Sequence, residues 1–319
     1  MKPFAFTLLS RVGSLLLVLF VTSFIVFAGM YLAPGSAESF LARGNNVTAE
    51  TLAALRAQYH LDDPFLVQYF RWVGGVVQGD FGQSLQFRQP VSELLASRLP
   101  TTLWLVAYSA ILILGCGVLL GVLAAVKRGG IDAAAVIMST VSMAAPSFVV
   151  AMALTSLFAV TLGIFPAFGP GGDGFFDRLW HLTLPAIALA LSSTALVMRT
   201  TRTSMIATLN KEYVETARVR GFSPQRVIWR HAFRGAIVPV VTLTGLVISG
   251  LLVTTTIVET IFGLNGIGSL LVQAVNVKDM PVVQAIVLVI VTVFVLSNLV
   301  VDLLYPKLEP RARMRAGSK

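Results

Sequence analysis

The chain has 319 residues, of which 56% are hydrophobic and only 12% are charged, and its mean hydropathy is +0.82. This composition excludes a soluble globular domain and predicts a protein embedded in a bilayer. The net charge of +9 would suit nucleic acid, but the basic residues lie beside apolar segments, so topology and contact with anionic membrane lipid account for it and no nucleic-acid partner is expected.

Six apolar windows are long enough to cross roughly 30 Å of hydrocarbon as helices. They lie near residues 12–32, 101–126, 134–162, 182–198, 236–258 and 282–304. The first is too long for a signal peptide and no small-residue cleavage site follows it, so we interpret it as a retained helix. Pro146 and Pro185 are expected to kink their helices. The sequence therefore predicts an all-α integral membrane protein with six transmembrane helices.

Lysine and arginine are distributed unevenly between the two sides of this topology. The N-terminus, the second loop, the fourth loop and the C-terminal tail share one side and hold 17 of the 24. Because cytoplasmic loops are enriched in these residues, both termini are predicted to be cytoplasmic.

The windows divide the chain into four segments. Residues 1–33 form an N-terminal transmembrane helix, and residues 34–99 an extracytoplasmic cap loop. The cap is predicted to hold a helix near 49–59, after Thr48 as N-cap, and a second amphipathic piece ending in glycine turns. Residues 100–305 form a core domain with five transmembrane helices and a cytoplasmic loop, 199–235, and residues 306–319 form a basic cytoplasmic tail.

The loop at 163–181 has five glycines and two prolines, which predicts turns rather than regular structure. The lone Cys116 excludes a disulfide framework, and we interpret it as an apolar packing residue. No histidines have metal-ligand spacing and no phosphate-loop motif is present, so no catalytic residue, metal or cofactor is predicted. The interiors of the windows hold no Asp, Glu, Lys, Arg or His, and only His181 and Asp302 lie at their borders. This disfavours a proton- or sodium-coupled carrier, and an intramembrane hydrolase is disfavoured too.

The basic stretch 211–239 is the most informative part of the chain. Good helix formers from Lys211 onward end at Gly221, which suits a left-handed position after a helix. Ser223 and Pro224 then signal the start of a second helix, as N-cap and first helical residue. We interpret the stretch as a docking element for a cytoplasmic protein; an ordinary positive-inside loop and a DNA-binding helix-turn-helix are the alternatives.

Spacings of three and four residues divide the second helix into two faces. The apolar face holds Val227, Ile228, His231 and Ala232. The basic face holds Arg226, Arg230 and Arg234, with Trp229 and Phe233 as an aromatic pair beside it.

Glu215-Thr216-Ala217, followed three residues later by Gly221, resembles the EAA loop by which permease subunits of ATP-binding-cassette importers contact their ATPases. Further matches are LAPG (32–35), GDFGQSL (79–85), RLPTTL (98–103), APSF (145–148), HLTLPAIALAL (181–191), VETIF (258–262), GIG (266–268) and NLVVDLLYPKLEPR (298–311). Together they resemble the dipeptide/oligopeptide/nickel branch over nearly the whole chain. Thr216, Pro239 and Asn265 depart from the general pattern.

The resemblance implies the type I importer permease fold in the bacterial cytoplasmic (inner) membrane. The partners that it implies are a second homologous permease, two cytoplasmic ATPase subunits and an extracytoplasmic substrate-binding protein. The implied ATPase-coupling residues are Glu212, Glu215, Thr216, Ala217, Gly221, Ser223, Pro224, Arg226 and Arg230. The implied cargo is di- or oligopeptides, with nickel chelates, glutathione or another small solute as alternatives. A non-transporting scaffold or channel subunit is the competing class.

Small and hydroxyl residues of the fifth span admit two interpretations: close helix packing, which is the default, or the lining of a wet cavity. As candidates for a translocation path we take Thr244, Ser249, Thr254 and Thr255.

Overall fold

The structure, a computed structural model, describes residues 2–32, 62–127 and 129–308. Its helices are α1 (Lys2–Leu32), α2 (Phe65–Val77), α3 (Val91–Val126), α4 (Gly130–Ala144), α5 (Ser147–Thr161), α6 (Phe175–Leu209), α7 (Glu212–Val219), α8 (Pro224–Ile261), α9 (Ile267–Val277) and α10 (Met280–Leu308). Within these ranges no strand forms, and the one extended pairing is an isolated bridge between Gln83 and Pro90. The all-α class is confirmed; the helix predicted near 49–59 lies outside the described residues.

Four helices are long and apolar enough to cross a membrane: α3, α6, α8 and α10. The bent pair α4 and α5 makes a fifth if it counts as one span, and α1 contributes a shorter apolar stretch, Gly13–Gly29. A helix bonds its backbone groups internally, so it can lie in hydrocarbon without a partner strand. The chain is therefore an integral membrane protein with four to five apolar spans among the described residues.

Pro146 divides the third predicted window into two helices. α4 and α5 are bent by 102° at this point. Pro146 supplies no N–H to the helix ladder, and Ala145 before it is extended, at φ −80° and ψ 119°, as the residue before proline prefers. The predicted kink is confirmed here as a break. Pro185 lies inside the continuous helix α6, and a kink there stays a prediction.

The chain divides into two compact units, the first of residues 1–102 and 265–295, the second of residues 103–264 and 296–319. In the first unit α2 packs on α1 through aromatic rings gathered around Tyr69. Tyr69 is fully buried, and its hydroxyl shares a 2.8 Å hydrogen bond with Ser23. A polar tip on an apolar ring explains why this residue suits a buried place beside a hydroxyl.

A buried carboxylate also ties the first unit together. Asp279, between α9 and α10, is fully buried and accepts hydrogen bonds from Ser84 Oγ (2.5 Å) and Gln86 N (3.1 Å). Through these two hydrogen bonds Asp279 fixes the GDFGQSL segment against the start of α10.

In the second unit α3, α5, α6 and α8 enclose an apolar core that includes Leu105, Ile113, Leu182 and Val258. Arg202, near the C-terminal end of α6, forms a bidentate ion pair with Asp132 in the first turn of α4. Arg199 donates to the hydroxyls of Ser139 (2.9 Å) and Thr140 (2.6 Å). These contacts hold α4 against α6 on the side from which α7 emerges.

Two local predictions are wrong. α6 begins at Phe175, so residues 175–181 are helical rather than irregular, because after Gly174 no glycine or proline interrupts the sequence before Pro185. Cys116 is exposed on α3 and does not pack in the core.

Candidate functional site

The predicted helix after Lys211 is present as α7. Glu212 and Glu215 lie in its first turn and Arg218 in its last, an arrangement that complements the helix dipole at both ends. The helix ends in two backbone bonds, from Gly221 N to Arg218 O (2.9 Å) and from Phe222 N to Ala217 O (3.3 Å). This is the Schellman pattern, and it places Gly221 at φ +77°, where glycine has no Cβ penalty. The predicted role of Gly221 as helix terminator is confirmed.

The second helix begins at the predicted place and is continuous with the fifth predicted span. Ser223 is the N-cap and Pro224 the first helical residue of α8, which continues without interruption to Ile261. The hydroxyl of Ser223 makes no capping hydrogen bond; its backbone carbonyl accepts from Val227 N (3.0 Å) instead. Residues Val227–Ala232 form a π-helical turn, a local feature often found at functional sites.

One face of α7 is anchored in a buried cluster. Val214 is fully buried and Ala217 is 4% exposed, and both pack with Met205, Val227 and Ala232. The apolar face predicted for the second helix is therefore confirmed as the surface on which α7 sits. Apolar side chains of α7 and of the two helices beneath it are buried against one another, and this burial holds α7 against the ends of α6 and α8.

Two close contacts add to this anchor. Gly235 of α8 lies directly against the Tyr213 hydroxyl of α7, and a Cβ at this position would also lie 2.8 Å from Thr208 Cγ2, so the absence of a side chain favours the close approach of α8 to α7. The ring of Phe222 packs against that of His231, with 5.3 Å between the centroids. The guanidinium of Arg226 lies over the Phe222 ring, 5.1 Å from its centroid. A cation over an aromatic face is attracted by the ring's quadrupole, so Phe222 holds the turn to α8.

The opposite face of α7 is exposed. Glu212, Glu215, Thr216, Val219 and Arg220 line a shallow depression of about 420 Å³. Val219 is 82% exposed, which is unusual for an apolar side chain beside a buried cluster. Glu215 lies 3.8 Å from Arg218, with both side chains at least half exposed, so this ion pair contributes little. An apolar residue among acidic and basic groups is suited to contact with another protein.

The basic face of α8 is exposed as predicted, at Arg226, Arg230 and Arg234. Trp229 and Phe233 form the predicted aromatic pair, with ring centroids 5.3 Å apart. Of the nine predicted coupling residues, Ala217 alone is buried, beneath the exposed ones.

The four candidate path residues occupy different environments. Thr244, Ser249 and Thr255 are buried, at 4%, 1% and 0% exposure. Their hydroxyls donate to carbonyls of the same helix, the usual packing role of such residues. Thr254 is exposed and lines a cavity of about 370 Å³ at the break between α4 and α5.

The cavity also contains residues that the sequence reasoning missed, Ser192 and Ser193 of α6 among them. The APSF motif marked the break, but nothing in the sequence places residue 192 beside residue 146. Glu259, fully buried in α8, lies one residue beyond the predicted fifth window. No cluster of three or more metal-ligating side chains occurs in the part of the chain that the structure describes.

Comparison with known proteins covers both parts of the chain. Residues 117–314 match the family described as binding-protein-dependent transport system inner membrane component. Residues 4–106 match the N-terminal family of the same membrane components.

Individual relatives align over almost their full length. The chain is 37% identical over 308 residues to the glutathione transport system permease protein GsiC of Salmonella paratyphi A, covering 96% of this chain and 98% of that protein. It is 36% identical over 309 residues to a protein of Brucella abortus whose name describes a peptide transport system permease, covering 96% and 98%.

Among solved structures, the chain is similar to one from the MetNI methionine ABC transporter in inward facing conformations. The TM-score is 0.56 at 14% identity, over 67% of this chain and 96% of that one. The likeness shows a shared fold.

Proposed function

Because this chain belongs to the family of binding-protein-dependent transport system inner membrane components, and is a permease subunit of the dipeptide/oligopeptide branch of ATP-binding-cassette importers, we propose that it forms half of the translocation path for di- and oligopeptides. Its partners would be a second homologous permease, two cytoplasmic ATPases and an extracytoplasmic substrate-binding protein. It would work in the bacterial cytoplasmic membrane.

The topology in this proposal has six spans and cytoplasmic termini. It takes α1, α3, the bent pair α4 and α5, α6, α8 and α10 as the spans. The excess of lysine and arginine on one side supports the orientation. The boundaries of the cap loop, the loop 199–235 and the tail belong to the same proposal.

The observation that carries the docking role is the two-sided character of α7. Its buried side, Val214 and Ala217, is packed on the ends of two long apolar helices, and its other side exposes Glu215 and Val219. A push on such a helix would be transmitted to α6 and α8, because packed helices move as rigid bodies. The sequence has no phosphate-loop motif, so ATP hydrolysis falls to the docked ATPases.

The docking role is tested by charge reversal on the exposed face. Glu215→Lys should lower ATPase binding by about tenfold, the effect of roughly 1.4 kcal/mol, while membrane insertion is unchanged. A detergent pull-down with the purified ATPases measures this, and Glu93→Lys, an exposed site in the first turn of α3, is the matched control. Equal ATPase recovery with both variants would contradict the docking role.

Cargo is the second part of the proposal. The relatives named for peptides and for glutathione both support a cargo with amide bonds. Direct binding measurements on the partner binding protein, with tripeptides and glutathione in parallel, separate these two candidates. Binding of neither would leave the peptide assignment without support.

A further inference from the structure

The cavity at the helix break has a lining that the docking role does not explain. It lies within the second unit and measures about 370 Å³, a volume in the range of small-ligand sites. It is open to its surroundings, since Met143, Pro146 and Thr254 in its wall are exposed. Its walls are the break itself, 143–147, with Leu189, Ser192 and Ser193 of α6 and Thr254 of α8. None of these residues carries a charged side chain.

The break supplies hydrogen-bond acceptors to this cavity. The last four carbonyls of a helix have no partner within the helix. In α4 the Val141 carbonyl accepts from Ala145 N (3.1 Å) and the Ser142 carbonyl from Ser192 Oγ (3.0 Å). The Ser192 hydroxyl thus replaces the N–H that Pro146 lacks. The two remaining carbonyls belong to Met143 and Ala144, both in the cavity wall.

Hydroxyl groups complete the lining. Ser147, Ser193 and Thr254 all border the cavity, and each hydroxyl has one donor and two acceptor lone pairs. The Thr254 proton goes to Leu251 O (3.0 Å), which leaves its oxygen as an acceptor. The cavity therefore offers acceptors and hydroxyl donors together, without any charge.

This chemistry selects a neutral amide. A peptide group has one donor and one acceptor, and both find partners here. The lining offers hydrogen-bond partners to an amide but no side chain that could neutralise a charged group. Discontinuous helices form binding sites in membrane transporters, since their broken ends expose backbone groups at membrane depth. The break lies midway along the α4–α5 pair.

We propose that this cavity binds a backbone amide of the cargo during its passage, with Ser193 and Thr254 as the contact residues on α6 and α8. The proposal rests on the proposed peptide-importer function and adds the contact site to it. Because every peptide carries backbone amides, such a site binds cargo independently of side-chain sequence.

Cross-linking tests the site in the whole importer. In a Cys116→Ala parent, single cysteines are introduced as Ser193→Cys, Thr254→Cys and the control Thr242→Cys, on the same helix as Thr254 and exposed. The complex, in proteoliposomes with its ATPases and binding protein, transports a tripeptide that carries a thiol-reactive bromoacetyl group. We expect ATP-dependent labelling at 193 and 254, at least about tenfold above that at 242. Equal labelling at all three positions would overturn the site.

Removal of the hydroxyls provides the second measurement. Ser193→Ala and Thr254→Val should each slow tripeptide uptake about fivefold, the effect of one neutral hydrogen bond, and Thr242→Val should leave it unchanged. Normal uptake by both cavity variants would overturn this inference while the importer function stands. If the parent complex takes up no peptide at all, the proposed function and the cavity site fall together.

Discussion

At the scale of single residues, glycine decides how closely the helices of the second unit approach. A Cβ on Gly121 would lie 2.5 Å from Thr201 Cβ and 2.7 Å from Met198 O, and one on Gly117 would lie 2.9 Å from Val197 Cγ1. The Gly117-to-Gly121 spacing is the small-xxx-small pattern of packed membrane helices. It is readable in the sequence, but its partner on α6 is not, because the contact joins residues some eighty positions apart.

Gly121→Ala tests this contact. The added methyl meets a backbone carbonyl that cannot move by itself, so we expect a loss of about 1–3 kcal/mol in the free energy of unfolding, as for other overpacked sites. Thermal denaturation in detergent measures the loss. Gly115→Ala, on the same helix with nothing within 4 Å of the new Cβ, should change the stability little. A Gly121→Ala protein as stable as its control would refute the close packing of α3 on α6.

At the scale of elements, the short helix α7 and its turn follow local rules and were predictable. Gly221, Ser223 and Pro224 took their expected positions because helix ends depend on the few residues around them. Two features could not be predicted from the sequence: the π-helical turn at Val227–Ala232 and the continuity of α8 with the fifth predicted span. Both depend on packing against α6 and α7. For the same reason the sequence located the break at Pro146 but not the cavity around it.

Substitution of Gly221 separates conformation from contact. Nothing lies within 4 Å of a Cβ at this position, so Gly221→Ala costs only the left-handed backbone strain, about 1–2 kcal/mol. Gly221→Pro fixes φ near about −65° against the observed +77° and removes the N–H bonded to Arg218 O. We therefore expect graded loss of ATPase association, mild for alanine and complete for proline. Gln225→Ala, at an exposed position outside the depression on α7, is the control for a simple side-chain loss in the same pull-down, and equal behaviour of all three variants would contradict the turn's role.

At the scale of the whole molecule, composition and hydropathy were enough to predict the class, since apolar runs of about 20 residues are long enough to cross a bilayer as helices. The number and the ends of the spans were harder to predict, because a hydropathy average over a window does not show where a helix breaks or how far it extends. The third window is a bent pair, and the fourth extends beyond its window at both ends, to Phe175 and Leu209. Near the C-terminal end of α6, Arg199 and Arg202 bind side chains of α4, so α4 and α6 are joined by polar contacts as well as by apolar packing.

We propose that this chain moves peptides only when an ATPase is docked at α7. The direct measurement is tripeptide uptake into proteoliposomes that contain both permeases, with the two ATPases, the binding protein and ATP. We expect uptake that stops when either ATP or the ATPases are left out, and that falls at least about tenfold with Glu215→Lys, in line with the loss of binding expected above. Uptake at an unchanged rate without ATPases, or at the full rate with Glu215→Lys, would contradict this proposal.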